Sequence, residues 1–237
     1  MARAKELTPW WRFGLAVLRP AFGLTFKLEV RGTSNLPATG CAVLASNHRS
    51  VVDGVLLALV GARRGRSIRF LVAAEVFEYR IPGWTLRTFD QIPIRRGSQD
   101  AGALDEAIEA LRGGSVVGIF PEGRVNDETS MLRGRTGVAR IALEAGAPVV
   151  PLGLWGTQTR WPRSGLRWAL PLRPRVAVQI GAPVEPHGDV TSQTEVRAFT
   201  EDVVRAIEAS AAQARSRVER ERTRRPSRRL RGRRRWR

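Results

Sequence analysis

The residues of this 237-residue sequence best equipped for chemistry stand together in NHRSVVDG, Asn47 to Gly54. His48 precedes Asp53 by about one helical turn, so the carboxylate can reach back to the imidazole. A carboxylate so placed fixes the ring tautomer and stabilises an imidazolium, leaving the second ring nitrogen to take a proton from an alcohol. That is general-base apparatus without a nucleophile. Ser50 is too close in sequence to His48 to be placed as one, and Cys41 lies within an apolar run, so no acyl-enzyme is expected. Taken alone, a His and an Asp at this spacing also describe an ordinary surface pair.

Three more segments could handle an anion or a chain. In FPEGR, Phe120 to Arg124, proline stiffens the exit of an apolar run, and Glu122 and Gly123 turn the chain so that backbone N–H groups and Arg124 can face an anion. An ordinary strand-to-loop turn has the same composition. In IPIRRG, Ile92 to Gly97, Arg95 and Arg96 follow a short strand, and arginine suits bidentate contact with phosphate, although arginine pairs are commonly just solvated. VPLGLWG, Val150 to Gly156, reads as a buried strand with proline near its start. Arg133 and Arg135 in LRGRTG could join an anion site or simply open a solvated helix, and His187 in EPHGD has no chemical company.

The elements that must hold these residues alternate. Short apolar runs bounded by turns predict strands over Phe26–Val30, Cys41–Ala45, Ile68–Ala73, Ile92–Ile94, Val116–Phe120, Val149–Leu154 and Val176–Ile180. Between them, Leu104, Ala107, Ile108 and Leu111 share a helical face that ends at Gly113 and Gly114; Val138–Leu143 precedes a turn at Gly146. Ser192 and Glu195 have capping-box spacing and open a helix striped by Val196, Phe199, Val203 and Ile207. Strands alternating with helices define an α/β domain with a mostly parallel mixed sheet covered on both faces. His48 then falls where a strand hands over to a helix, outside the carboxyl end of a sheet strand, where ligands gather in open α/β sheets.

The ends differ from the middle. A segment over residues 1–27 carries an amphipathic helix whose Trp11, Leu15, Leu18, Phe22 and Phe26 fall at helical spacing; Arg12, Arg19 and Pro20 interrupt it too often for a membrane span. This face is expected to lie on a bilayer, with packing against its own domain as the alternative. Residues 28–212 form the main domain and 213–237 an arginine-rich tail, expected to be disordered when free. From Arg215 to Arg237, thirteen arginines stand against two glutamates, so most of the +18 net charge sits there. Such an excess seeks anionic partners, here the cytoplasmic face of a cell membrane, with peripheral attachment. One cysteine and two histidines leave too few ligands for a thiolate cluster or a histidine-built metal site, so neither metal nor cofactor is expected.

The order NHRSVVD, IPIRR, FPEGR, VVPLG resembles the glycerolipid acyltransferase family, typified by 1-acylglycerol-3-phosphate acyltransferases. The resemblance implies that His48 is the general base and Asp53 its orienter, that Arg96 with Glu122 and Gly123 holds the acceptor's phosphate, and that Pro151 lines the acyl-donor side. Asn47, Arg95 and Arg124 join the substrate-binding set by position. Two departures stand out: Arg95 takes the place of an Asp, and Arg124 and Val125 the places of a Thr and an Arg, so the acceptor site is more basic than the common pattern. The implied substrates are a lysophospholipid, foremost 1-acylglycerol-3-phosphate, and an acyl-CoA or acyl carrier protein donor. A different lysolipid acceptor, or a non-catalytic basic protein binding membrane or nucleic acid, are the competing readings; nothing in the main domain resembles a nucleic-acid module.

Overall fold

A computed structural model describes residues 7–95, 100–126, 131–167 and 173–223. Its elements are α1 (Pro9–Thr25), β1 (Lys27–Arg31), β2 (Ala42–Ser46), α2 (Asp53–Gly61), β3 (Ile68–Ala73), α3 (Arg80–Thr88) and β4 (Ile92–Ile94). They continue with α4 (Ala101–Arg112), β5 (Val116–Ile119), α5 (Gly137–Ala145), β6 (Val149–Trp155), β7 (Arg175–Ile180) and α6 (Gln193–Thr223). The strands form one sheet in the order β1-β7-β6-β2-β5-β3-β4. Strands β2 to β6 run parallel to their neighbours, whereas β7 pairs antiparallel with β6 and carries β1 parallel to itself. The mixed, mostly parallel sheet is the one the alternation of runs predicts.

Strand β2 shows why both faces must be covered. All five of its residues are buried, and they alternate: Val43 and Ala45 pack toward α4, α5 and α6, while Ala42 and Leu44 pack toward α2. The stripe Val196, Phe199, Val203, Ile207 on α6 is fully buried in the first of these layers. Helix α6 also lies so close to β6 that a Cβ on Gly153 would stand 2.1 Å from the backbone nitrogen of Ala211, so only glycine permits that approach.

Two expectations about the ends change. The α1 stripe read as bilayer-facing is turned inward: Trp11 and Leu15 are buried against Leu59 and Ala62, and the Trp11 ring meets Phe89 edge-on at 5.0 Å. Helical spacing fixes which residues share a face but not what the face meets. The opposite side of α1 is apolar as well, exposing Trp10, Phe13, Val17 and Leu24. At the other end, α6 does not stop where arginine takes over near Ala212. It continues to Thr223, because Ala214 is fully buried, Arg215 lies over the Trp155 ring, and Glu221 pairs with Arg175 on β7. Residues 224–237 lie outside the described residues. Among those described, no helix is long and apolar enough to cross a membrane.

Candidate active site

Strand β2 ends at Ser46, and the chain turns through His48 into α2, whose first residue is Asp53. Asp53 is fully buried and its Oδ2 accepts three bonds: from the Arg49 amide at 2.6 Å, the Ser50 amide at 2.7 Å and His48 Nδ1 at 3.1 Å. Its place in the first helical turn also sets its negative charge against the positive end of the helix dipole. With Nδ1 committed to Asp53, the ring presents Nε2 to the cavity whose wall His48 helps form. The plane of the ring is fixed by Phe120, stacked on it at 4.0 Å and 14°, and Phe120 in turn lies 5.9 Å from Phe70.

The loop leaving β5 holds this turn from behind. Glu122 is buried, and its Oε1 accepts the His48 amide at 2.9 Å while Oε2 accepts Asn126 Nδ2 at 2.7 Å and the Leu132 amide at 3.1 Å. The His48 carbonyl is taken by the Asn126 amide at 2.7 Å. Arg49, also buried, lays its guanidinium over the Trp155 ring at 4.6 Å, and Arg215 from α6 lies over the same ring at 5.0 Å. Ser50 donates its hydroxyl to the Trp161 carbonyl. That oxygen is therefore engaged away from His48, and Cys41 lies the whole length of β2 away, so neither is set up as a nucleophile.

The cavity has a volume of about 1700 Å³. Its walls from α1, α2 and α3 are apolar, built by residues such as Leu15, Val55, Leu59, Ile81 and Leu86, with Phe89 alongside. The wall from α4 and α5 is charged, with Glu109, Arg112, Arg140 and Glu144. His48 opens onto the same space, so an alkyl chain and a polar head can meet at the imidazole.

The remaining residues expected to bind substrate divide. Arg95 and Gly123 line the cavity, Arg95 with Asp100 3.9 Å from its Nε. Arg96 lies outside the described residues. Arg124 is exposed but does not contribute to the cavity wall. Asn47, Glu122 and Pro151 do not reach the cavity either, and each has a structural reason. Asn47 is buried and its amide spans the Leu154 backbone, accepting from the nitrogen at 2.7 Å and donating to the oxygen at 3.0 Å, which extends the β2–β6 ladder. Both oxygens of Glu122 accept from protein donors, so it braces the His48 turn. Pro151 is buried mid-strand opposite Ala45 with its ring toward Gly181. Motif position singled these residues out; the contacts show what each of them holds within the fold. The Trp155 contact with Arg49 and Arg215 had no sequence signal, because it joins segments far apart in the chain.

A strand-end His–Asp pair opening onto a partly apolar cavity can take a proton from a hydroxyl held there. A family model described as Acyltransferase matches residues 27–155, and the chain belongs to that family. Among its relatives, a chloroplastic 1-acyl-sn-glycerol-3-phosphate acyltransferase from Arabidopsis thaliana is 31% identical over 56% of this chain and 37% of that protein. The 1-acyl-sn-glycerol-3-phosphate acyltransferase of Pseudomonas aeruginosa is 31% identical over 68% of this chain and 60% of that protein. The crystal structure of the 1-acyl-sn-glycerophosphate acyltransferase PlsC from Thermotoga maritima superposes with a TM-score of 0.65 at 27% identity, covering 93% of this chain and 81% of that one. The chain spans only 37% to 43% of the length of the first relatives it matches.

Proposed function

We propose that this protein transfers a fatty acyl group to the free hydroxyl of 1-acylglycerol-3-phosphate, giving phosphatidate for phospholipid synthesis. The observation that carries the reading is His48, oriented by Asp53 at 3.1 Å and opening onto a cavity with an apolar wall. His48 Nε2 removes the acceptor's hydroxyl proton as the oxygen attacks the thioester carbonyl. The new C–O ester bond forms, the C–S bond breaks, and the imidazolium returns the proton to the departing thiolate. The donor is an acyl-CoA or acyl carrier protein thioester, and no cofactor takes part. The apolar wall holds the donor chain, and positioning of the two reactants supplies several kcal/mol of the barrier reduction, about the size of effective-molarity gains.

The same reading places the protein peripherally on the cytoplasmic face of the membrane. Trp10 on α1 and Trp84 on α3 meet edge-on at 6.2 Å, and both are exposed, as are Phe13 of α1, Tyr79 and Ile81 at the start of α3, and Arg12, Arg19, Arg80 and Arg87 on these two helices. Amphipathic aromatic rings flanked by cations suit an anionic lipid interface, and the cavity lies directly behind these helices. The arginine-rich C-terminal stretch adds electrostatic attachment of about 1 kcal/mol per arginine near an anionic surface, screened by salt. The test is product analysis by mass spectrometry with purified protein, both donor types, and a panel of lysophosphatidate, other lysophospholipids and lysolipids without phosphate. Preferential formation of phosphatidate supports the reading, and turnover confined to another acceptor overturns it.

A further inference from the structure

We propose that Arg135 is the arginine that binds the phosphate of the acceptor, an inference that rests on the reading of the acceptor as a phosphate-bearing lysolipid. Four described arginines line the cavity: Arg95, Arg112, Arg135 and Arg140. Two are answered by acids. Arg112 pairs with Glu144 at 3.4 Å, and Arg95 has Asp100 at 3.9 Å from its Nε, while the Arg95 amide donates to the same carboxylate at 2.8 Å. Arg135 has no carboxylate within ion-pair distance among the described residues, and its residue is exposed at the cavity wall.

What distinguishes it from Arg140, which springs from α5, is the surface it lies on. The Arg135 amide donates to the Pro121 carbonyl at 2.9 Å, and its side chain runs across Gly123. A Cβ at position 123 would stand 2.8 Å from Arg135 Nε and 3.1 Å from Cζ, so the missing side chain is what lets the guanidinium settle there. Gly123 also has φ of 67°, a left-handed conformation that disfavours any replacement. On either side of this contact the loop grips the base: Phe120 stacks on the imidazole and Glu122 accepts the His48 amide. Arg135 is thus a planar, permanently charged fork with no acid partner among the described residues, held by the loop that positions His48. Such a fork matches two phosphate oxygens at once. Arg135 and His48 line the same cavity, so the assignment requires a glycerol phosphate to bridge the fork and Nε2.

The experiment compares wild type with Arg135→Ala, Arg135→Lys and Arg197→Ala, using lysophosphatidate and the matching monoacylglycerol as acceptors. A charged hydrogen-bonding pair lost from a binding site corresponds to about 10- to 100-fold in affinity. Arg135→Ala should raise KM for lysophosphatidate by that factor and leave KM for the acyl donor and the rate with monoacylglycerol within about twofold. Arg135→Lys, keeping the charge and losing the fork, should fall between. Arg197→Ala, an exposed α6 arginine that takes no part in the cavity wall, should behave as wild type with both acceptors. If wild type acylates lysophosphatidate and Arg135→Ala has an unchanged KM for it, the assignment of Arg135 is wrong while the acyltransferase reading stands. If wild type shows no preference for lysophosphatidate over monoacylglycerol, both fall together.

Discussion

Replacing Glu122 by Gln separates a brace from a ligand. Glu122 is 4% exposed, and its carboxylate accepts from the His48 amide, Asn126 Nδ2 and the Leu132 amide. A glutamine of the same shape keeps one oxygen and turns an NH2 group toward donors. If its oxygen stays on His48, the amide nitrogen opposes both Asn126 Nδ2 and the Leu132 amide; if it flips, it opposes His48. One or two charge-assisted bonds are lost, each worth about 1.5–3 kcal/mol, so the cost to stability is roughly 2–4 kcal/mol after Asn126 has turned to recover what it can. The displaced His48 backbone should lower kcat, because a small misplacement of the base is felt directly in the transition state. The assay pairs urea denaturation with full kinetics in both substrates. A lower denaturation midpoint with a fall in kcat and a KM for acceptor within about twofold is expected. Unchanged stability together with a large rise in acceptor KM would place Glu122 on the substrate and refute the brace.

Other perturbations test neighbouring parts of the account. Trp155→Leu removes the ring beneath Arg49 and Arg215, and should cost about 2–4 kcal/mol in urea denaturation through lost packing and cation–π contact; an unchanged midpoint would show that the α6 tie contributes nothing. Asp100 caps α4, and the Arg95 amide holds its carboxyl below the ordinary aspartate range. Because the folded value lies below the unfolded one, this contribution is present above about pH 4 and is lost as pH falls through the folded value. The stability gap between wild type and Asp100→Asn should therefore be widest near neutrality and close in acid, and a gap that widens in acid would contradict the assignment. Trp10→Glu with Trp84→Glu should weaken binding to vesicles at high salt, where electrostatic attachment is screened; unaltered binding there would remove these rings from the interface.

The sheet was legible because its central strands, such as β2 and β6, are buried on both faces and read as apolar runs, while the partly exposed edge strands β1 and β4 are short runs bounded by turns. Ile68–Ala73 and Ile92–Ile94 match their predicted bounds, and the others shift by a residue or so at an end. Helix α3 was not legible: it carries Pro82 and Gly83, leaves Ile81 and Trp84 exposed, and so lacks an apolar stripe of its own. The base and its orienter could be read from spacing because both lie within one turn of chain. The internal contacts of Asn47, Glu122 and Pro151 could not, since their partners, Leu154, the His48 amide and the Gly181 region, come from other strands and loops. The direction of the α1 stripe was hidden for a different reason, namely that both faces of that helix are apolar.

The most direct measurement is the rate of phosphatidate formation by His48→Ala, made with lysophosphatidate in vesicles and compared with wild type at equal folded concentration. The imidazole is 17% exposed and makes one side-chain hydrogen bond, to Asp53, so the variant should fold. Loss of a general base predicts a fall of about 10²- to 10⁴-fold in kcat. A folded His48→Ala protein that forms phosphatidate at the wild-type rate would contradict the central claim.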